Sequence, residues 1–152
     1  CVEITESAMM EDSSAAFYSI ERLRQLGIAV SIDDYGTGYS SLSYIKNLKA
    51  VELKIDRMFV NELDSSEEDK AIVQSTIDLG HNLGLRVVAE GVETPAQLGK
   101  LCELGCDYAQ GFLLSRPLAA DAVANWMREF DFSAVRHIKP IAVAPAARVN
   151  AG

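Results

Sequence analysis

Ile28-Ala29-Val30-Ser31-Ile32-Asp33-Asp34-Tyr35-Gly36-Thr37-Gly38 sets an apolar run against two adjacent carboxylates and then against glycines. Residues 28–32 read as a strand of a parallel sheet, where both faces are covered and apolar residues continue without alternation. The chain leaves that strand through Asp33 and Asp34 into a Gly-rich loop over 34–41, and a short helix is predicted over 41–48. Neighbours on a regular strand point to opposite faces. For Asp33 and Asp34 to serve one site, the backbone must abandon strand geometry there. Carboxylates so close repel each other unless a cation lies between them.

The same unit recurs along the chain. Residues 2–4, 51–55, 86–89 and 108–114 read as further strands. Helices are predicted over 15–26, 67–83, 95–104 and 120–130. Gly27, Gly84 and Gly105 stand just past helix ends, and Thr94-Pro95 offers an N-cap followed by proline at the first helical position. Val123, Trp126, Met127 and Phe130 share one helix face and are expected in the core. Strand–helix repetition predicts an α/β fold with parallel strands. An open doubly wound sheet and a barrel both satisfy it. A (β/α)8 barrel takes eight strands over about 250 residues, so about five parallel strands with intervening helices in 152 residues would form a partial TIM-like barrel. After Phe132 the periodicity ends. Lys139-Pro140 and Ala144-Pro145 punctuate residues 133–152, which read as a flexible tail or linker.

Composition narrows the function classes. The net charge is −8, which argues against a nucleic-acid polymer as partner. An acidic protein can still take an anionic phosphate substrate if a cation sits between them, and a divalent metal is the usual solution. No apolar run approaches the roughly 20 residues of a membrane span. The chain opens on Cys1, without Met and close to a predicted strand, and is expected to be part of a longer protein. Cys1, Cys102 and Cys106 are odd in number and predict no disulfide; Cys102 and Cys106 read as small buried residues.

Each predicted strand ends in chemistry. Glu3 and Glu6 lie at or near the end of the first, Asp33 and Asp34 of the second, Lys54 and Asp56 of the third, Glu90 and Glu93 of the fourth, and Gln110 falls within the fifth. In parallel α/β folds the C-terminal strand ends gather on one face, where active sites form. Oxygen donors in this number suit Mg²⁺ or Mn²⁺ rather than zinc. Lys54 reads either as a lysine snorkelling from a strand end or as a cation aimed into the acidic cluster. The Gly-x-Gly loop lacks the Lys-Ser/Thr of a Walker motif and the third glycine of a dinucleotide fingerprint, and reads as a mobile loop beside the site.

Five stretches, taken in order, resemble the successive signatures of EAL domains: Glu3-Ile4-Thr5-Glu6-Ser7, Asp33-Asp34-Tyr35-Gly36-Thr37-Gly38-Tyr39-Ser40-Ser41, Leu53-Lys54-Ile55-Asp56, Ala89-Glu90-Gly91-Val92-Glu93-Thr94, and Gln110-Gly111-Phe112-Leu113-Leu114-Ser115-Arg116-Pro117. Tyr35 stands where the family more often has Phe. The resemblance implies a TIM-like (β/α)8 barrel that hydrolyses cyclic di-GMP to linear pGpG with Mg²⁺ or Mn²⁺ at a two-metal site. Residue by residue it implies Glu3, Asp33, Asp34 and Glu90 as metal ligands, and Lys54 and Glu90 as catalytic groups. It implies Gln110, Gly111, Glu93 and Pro117 as substrate-binding residues, and Glu6, Gly36 and Gly38 as anchors of the Gly-rich loop. It further implies a homodimer, sensory or GGDEF domains upstream, and a cytoplasmic location. Residues 1–132 would be the C-terminal part of the domain. The Glu-Ala-Leu signature and a metal-binding Asn of an earlier strand do not occur in these residues, so the segment alone is expected to be inactive. The alternative readings are a non-catalytic EAL-like sensor that binds cyclic di-GMP, another metal-dependent barrel enzyme, and a fragment without independent function.

Overall fold

The computed structural model describes residues 1–11, 13–36 and 42–131. Gly38, with the rest of the loop 37–41, and the predicted tail 133–152 lie outside the described residues. The strands are β1 (Val2–Thr5), β2 (Val30–Tyr35), β3 (Glu52–Ile55), β4 (Arg86–Ala89) and β5 (Tyr108–Ala109). The helices are α1 (Glu6–Glu11), α2 (Ser13–Gln25), α3 (Leu42–Leu48), α4 (Arg57–Asn61), α5 (Glu67–Asn82), α6 (Pro95–Glu103) and α7 (Ala120–Glu129).

The five strands form one sheet in the order β1-β2-β3-β4-β5, and each neighbouring pair is parallel. A doubly wound sheet reverses its strand order at a switch point. No reversal occurs here, so the sheet is an arc of a TIM-like barrel wall, five strands of the eight a closed barrel uses. Ile32, Leu53 and Val87 stand in register across β2, β3 and β4 and are all fully buried.

The helices cover one face of this arc with two apolar clusters. One joins Ile55, Val87 and Ala89 of the sheet to Phe59, Val60, Val73, Ile77, Leu98 and Leu101 of α4, α5 and α6. The other joins Val30, Ile32 and Leu53 to Ile20 of α2 and to Ile45 and Leu48 of α3. Each such side chain contributes about 1.5–3 kcal/mol on burial. These clusters supply the stability that allows like charges to be held together at the strand ends.

The structure corrects several sequence expectations. The fifth strand, expected over 108–114, stops at Ala109. Leu114 and Ser115 donate their N–H groups to the Gly111 carbonyl, and that turn ends strand geometry. The second strand starts at Val30 and continues through Asp33 and Asp34 to Tyr35. Two helices were not anticipated. α1 begins at Glu6, a residue expected at a strand end, and α4 begins right after Asp56, whose carboxylate accepts the Met58 N–H at 2.7 Å. The apolar face of α7 does not enter the core: none of its residues is buried, and Met127 is 60% exposed. Trp126 meets Phe130 with ring centroids 5.0 Å apart, and the two chief clusters form without them.

Two expectations follow. A Cβ at Gly111 would sit 2.1 Å from the Val92 carbonyl oxygen and 2.3 Å from its nitrogen. Backbone cannot step aside as a flexible side chain can, so Gly111→Ala should cost about 3 kcal/mol in urea unfolding. Burial pushes the Cys106 thiol up to about 12. Cys106 should therefore resist alkylation at pH 8 in the folded chain, while exposed Cys1 reacts, and it should become reactive once the chain is unfolded.

Candidate active site

Strand parity builds this site. Ile4, Ile32 and Leu53 pack against the cluster under α2 and α3, and Ile55 and Ala89 against the cluster under α4 to α6. Their sequence neighbours Glu3, Asp33, Lys54 and Glu90 are thereby turned to the opposite side of the sheet, the inner side of the arc. The parallel pairing lines up their strands, with Thr5 beside Asp33 and Ile55 beside Ala89.

The four side chains meet at one nitrogen. Lys54 Nζ lies 2.6 Å from Glu90 Oε1, 2.8 Å from Glu3 Oε1 and 3.2 Å from Asp33 Oδ1. The Lys54 side chain is 4% exposed, so this is a buried ammonium rather than a snorkelling one. Burial works to lower its pKa, but hydrogen bonds to Glu3, Glu90 and Asp33 outweigh it and hold the group above its ordinary value. Lys54 is charged at any pH the fold will meet.

One positive charge does not balance this set. Asp34 adds a further carboxylate, brought in by a local break in β2. Its φ is +54°, and the β2–β3 register shifts between Ile32 and Tyr35. This bulge is the departure from strand geometry that the adjacent pair requires. The Asp34 N–H then donates to Asp33 Oδ1 at 3.1 Å. Burial, with Asp33 and Asp56 as negative neighbours, raises the Asp34 pKa although Lys54 opposes it. Carboxylate oxygens of Asp33, Asp34 and Glu90 all lie within 4.8 Å of one another. That is a hard-oxygen donor set with excess negative charge, the chemistry that Mg²⁺ or Mn²⁺ accepts. Glu3 is not a member of this trio; it joins the cluster through Lys54, and its side chain is 54% exposed.

The other expected residues fall around the cluster. Glu6 is 2% exposed, and its Oε2 accepts the Gly36 N–H at 2.9 Å, tying the end of β2 to the start of α1. Gly36 has φ +99°, and a Cβ there would meet the Phe59 ring at 2.7 Å. Gln110 is exposed; its N–H donates to the Ala89 carbonyl at 2.8 Å and its carbonyl accepts the Val92 N–H at 3.0 Å, which sets it beside the Glu90 loop. Gly111 packs on the Val92 backbone. Glu93 and Pro117 are exposed and stand outside the Lys54 cluster.

Asp56, expected at the end of the third strand, does more than that position implies, and Gln97 escaped the sequence reading. Asp56 caps α4 and also hydrogen-bonds Asp34. Its signal was an Asp directly before a helix. Gln97, 6% exposed, accepts from the N–H groups of Glu93 and Thr94 at 2.8 and 3.0 Å and donates to the Asn61 carbonyl at 3.3 Å. The Thr94-x-x-Gln97 capping-box spacing marked it.

The raised pKa of Asp34 means that the folded state disfavours its charge. Ionised at neutral pH, it costs stability in the metal-free chain. Asp34→Asn removes that charge, tolerates the positive φ and can donate to Asp56. It should raise the melting temperature in EDTA and reduce the further rise produced by Mn²⁺, both read by thermal denaturation.

Comparison with known proteins adds independent findings. A model of the EAL domain matches residues 1–117. The bifunctional diguanylate cyclase/cyclic di-GMP phosphodiesterase MucR of Pseudomonas aeruginosa is 53% identical over 120 residues, covering 79% of this chain and 18% of that protein. The chain thus spans under a fifth of that relative's length. Among solved structures, the PaMucR phosphodiesterase in complex with c-di-GMP superposes with a TM-score of 0.76 at 53% identity, over 80% of this chain and 49% of that one. The manganese/cy-diGMP complex of Klebsiella pneumoniae BlrP1 superposes with a TM-score of 0.71 at 36% identity, over 76% of this chain and 29% of that one. A parallel arc with acidic strand ends gathered on a lysine, matched by the family model over most of its length, places this chain in the EAL domain family.

Proposed function

We propose that the complete protein carrying this segment hydrolyses cyclic di-GMP to linear pGpG, with residues 1–132 as the C-terminal part of its catalytic domain and 133–152 as a linker. The observation that carries this reading is the convergence of Glu3, Asp33 and Glu90, from separate parts of the sheet, on the Lys54 ammonium.

Asp33, Asp34 and Glu90, with Glu3 beside them, would hold Mg²⁺ or Mn²⁺, the trio's spacing being suited to shared ligation. When bound, the ions supply Lewis-acid polarisation and neutralise a phosphate that an acidic protein would otherwise repel. Lys54, fixed by its buried strand, offers N–H donors to a water or to a phosphate oxygen. Glu90, 2.6 Å from Lys54, accepts the proton of that water. Gln110, Gly111, Glu93 and Pro117 would contact the dinucleotide from the β4–β5 side. Glu6 holds Gly36, and through it the entry to the Gly-rich loop with Gly38. In the family reading that loop supports a homodimer. Sensory or GGDEF domains would lie upstream and set the activity. Among the described residues no helix is long and apolar enough to cross a membrane, and a cytoplasmic catalytic domain is the matching proposal.

The test is hydrolysis of cyclic di-GMP by the complete protein in Mn²⁺ and in EDTA. Glu90→Gln should lower turnover by about 100-fold or more, EDTA should abolish it, and this segment alone should give none. Binding of cyclic di-GMP without turnover by the unmodified protein would favour the sensor reading. Full turnover by Glu90→Gln would remove Glu90 from the chemistry.

A further inference from the structure

We infer that the Lys54 ammonium is the built-in counterion of the acid cluster, and that a divalent cation binds there in competition with it. The inference rests on the metal reading proposed above and adds what sets the affinity and selectivity of that site.

Lys54 already pairs with Asp33 and Glu90 of the trio. Lys54 Nζ lies 2.6 Å from Glu90 and 3.2 Å from Asp33, and both belong to the trio with Asp34. Its third contact, Glu3 at 2.8 Å, holds the ammonium from outside the trio. An arriving cation therefore meets a like charge at hydrogen-bond distance from its own ligands.

Lys54 has no easy retreat. Its side chain is 4% exposed, and Leu53 and Ile55 on either side are fully buried, so β3 cannot slide to carry it away. The ammonium can release Glu90 or Asp33 while keeping Glu3, but it stays near the cation and the repulsion persists. The cluster is kept neutral enough to fold without metal, at the expense of metal affinity. Selectivity follows from the same arrangement. A monovalent cation offers the trio no more charge than Lys54 already gives it, whereas a divalent one does.

The experiment titrates the complete protein with Mn²⁺ alone, without substrate, following free Mn²⁺ by electron paramagnetic resonance, and compares it with Lys54→Met. Thermal unfolding in EDTA and in Mn²⁺ is read alongside. The variant should bind Mn²⁺ about tenfold tighter or more, melt lower in EDTA, and gain more from Mn²⁺ than the unmodified protein. Lys54→Gln, which keeps a hydrogen-bond donor without the charge, reads the same difference if Lys54→Met does not fold. Unmodified protein that binds Mn²⁺, with variants that bind it equally or more weakly, overturns the counterion inference while leaving the metal reading intact. Absence of Mn²⁺ binding in all three overturns the metal reading, and the inference with it.

Discussion

Carboxylates brought together from separate strands must be neutralised, and most of what is distinctive here answers that demand. Glu3, Asp33, Asp34 and Glu90 would repel one another in any compact arrangement. Lys54 answers part of the demand by reaching Glu3, Asp33 and Glu90 with one buried ammonium. Removing one member of a buried ion pair typically costs about 3–5 kcal/mol, because the partner is left charged and unpaired. The negative charge that Lys54 leaves over is what the proposed divalent cation would neutralise.

The cluster is held by the scaffold rather than by its own attraction. Strand parity sends Leu53 and Ile55 toward the helices and Lys54 the other way, and the same parity governs Glu3, Asp33 and Glu90. The parallel register staggers them, with Glu3 two residues before the level of Asp33 and Glu90 two residues beyond that of Lys54, an offset that the long lysine and glutamate side chains span. The second layer of support is polar and local. Glu6 takes the Gly36 N–H, Asp56 caps α4, and Gln97 links the segment after Glu90 to the end of α4. These contacts restrict the loops that leave the strand ends, and geometry at a site of several charges depends on such restriction.

Much of this was legible in the chain because it rests on local patterns. Apolar runs marked the strands, and glycine and proline marked the helix ends; α5 and α6 stop one residue short of their expected limits. The adjacency of Asp33 and Asp34 required a break in strand geometry, and the bulge at Asp34 is that break. What failed had a nonlocal cause. β5 ends at Ala109, ahead of a turn in which Gly111 packs on the Val92 backbone, a contact between segments nearly twenty residues apart. α7 has a well-formed apolar face, but amphipathicity states only that a helix wants a partner, and none of its residues is buried. Position alone reads Glu6 as one more charge at a strand end, and only the resemblance makes it an anchor of the Gly-rich loop. It is buried because an N–H thirty residues away needs its carboxylate.

By itself the sequence determined the alternation of strands and helices, the parallel class and the residue types at each strand end, since these follow from side-chain periodicity and turn chemistry within a few residues. Periodicity left an open sheet and a barrel both possible and the resemblance named the barrel; the strand order, without reversal, agrees with it. Tertiary structure alone decided two things. Glu3 meets the trio through Lys54 rather than as part of it. Lys54 is a buried counterion instead of a solvent-seeking side chain. The reason is physical: charge interactions and packing depend on distances through space, and a linear pattern carries those distances only where neighbours in sequence are also neighbours in the fold.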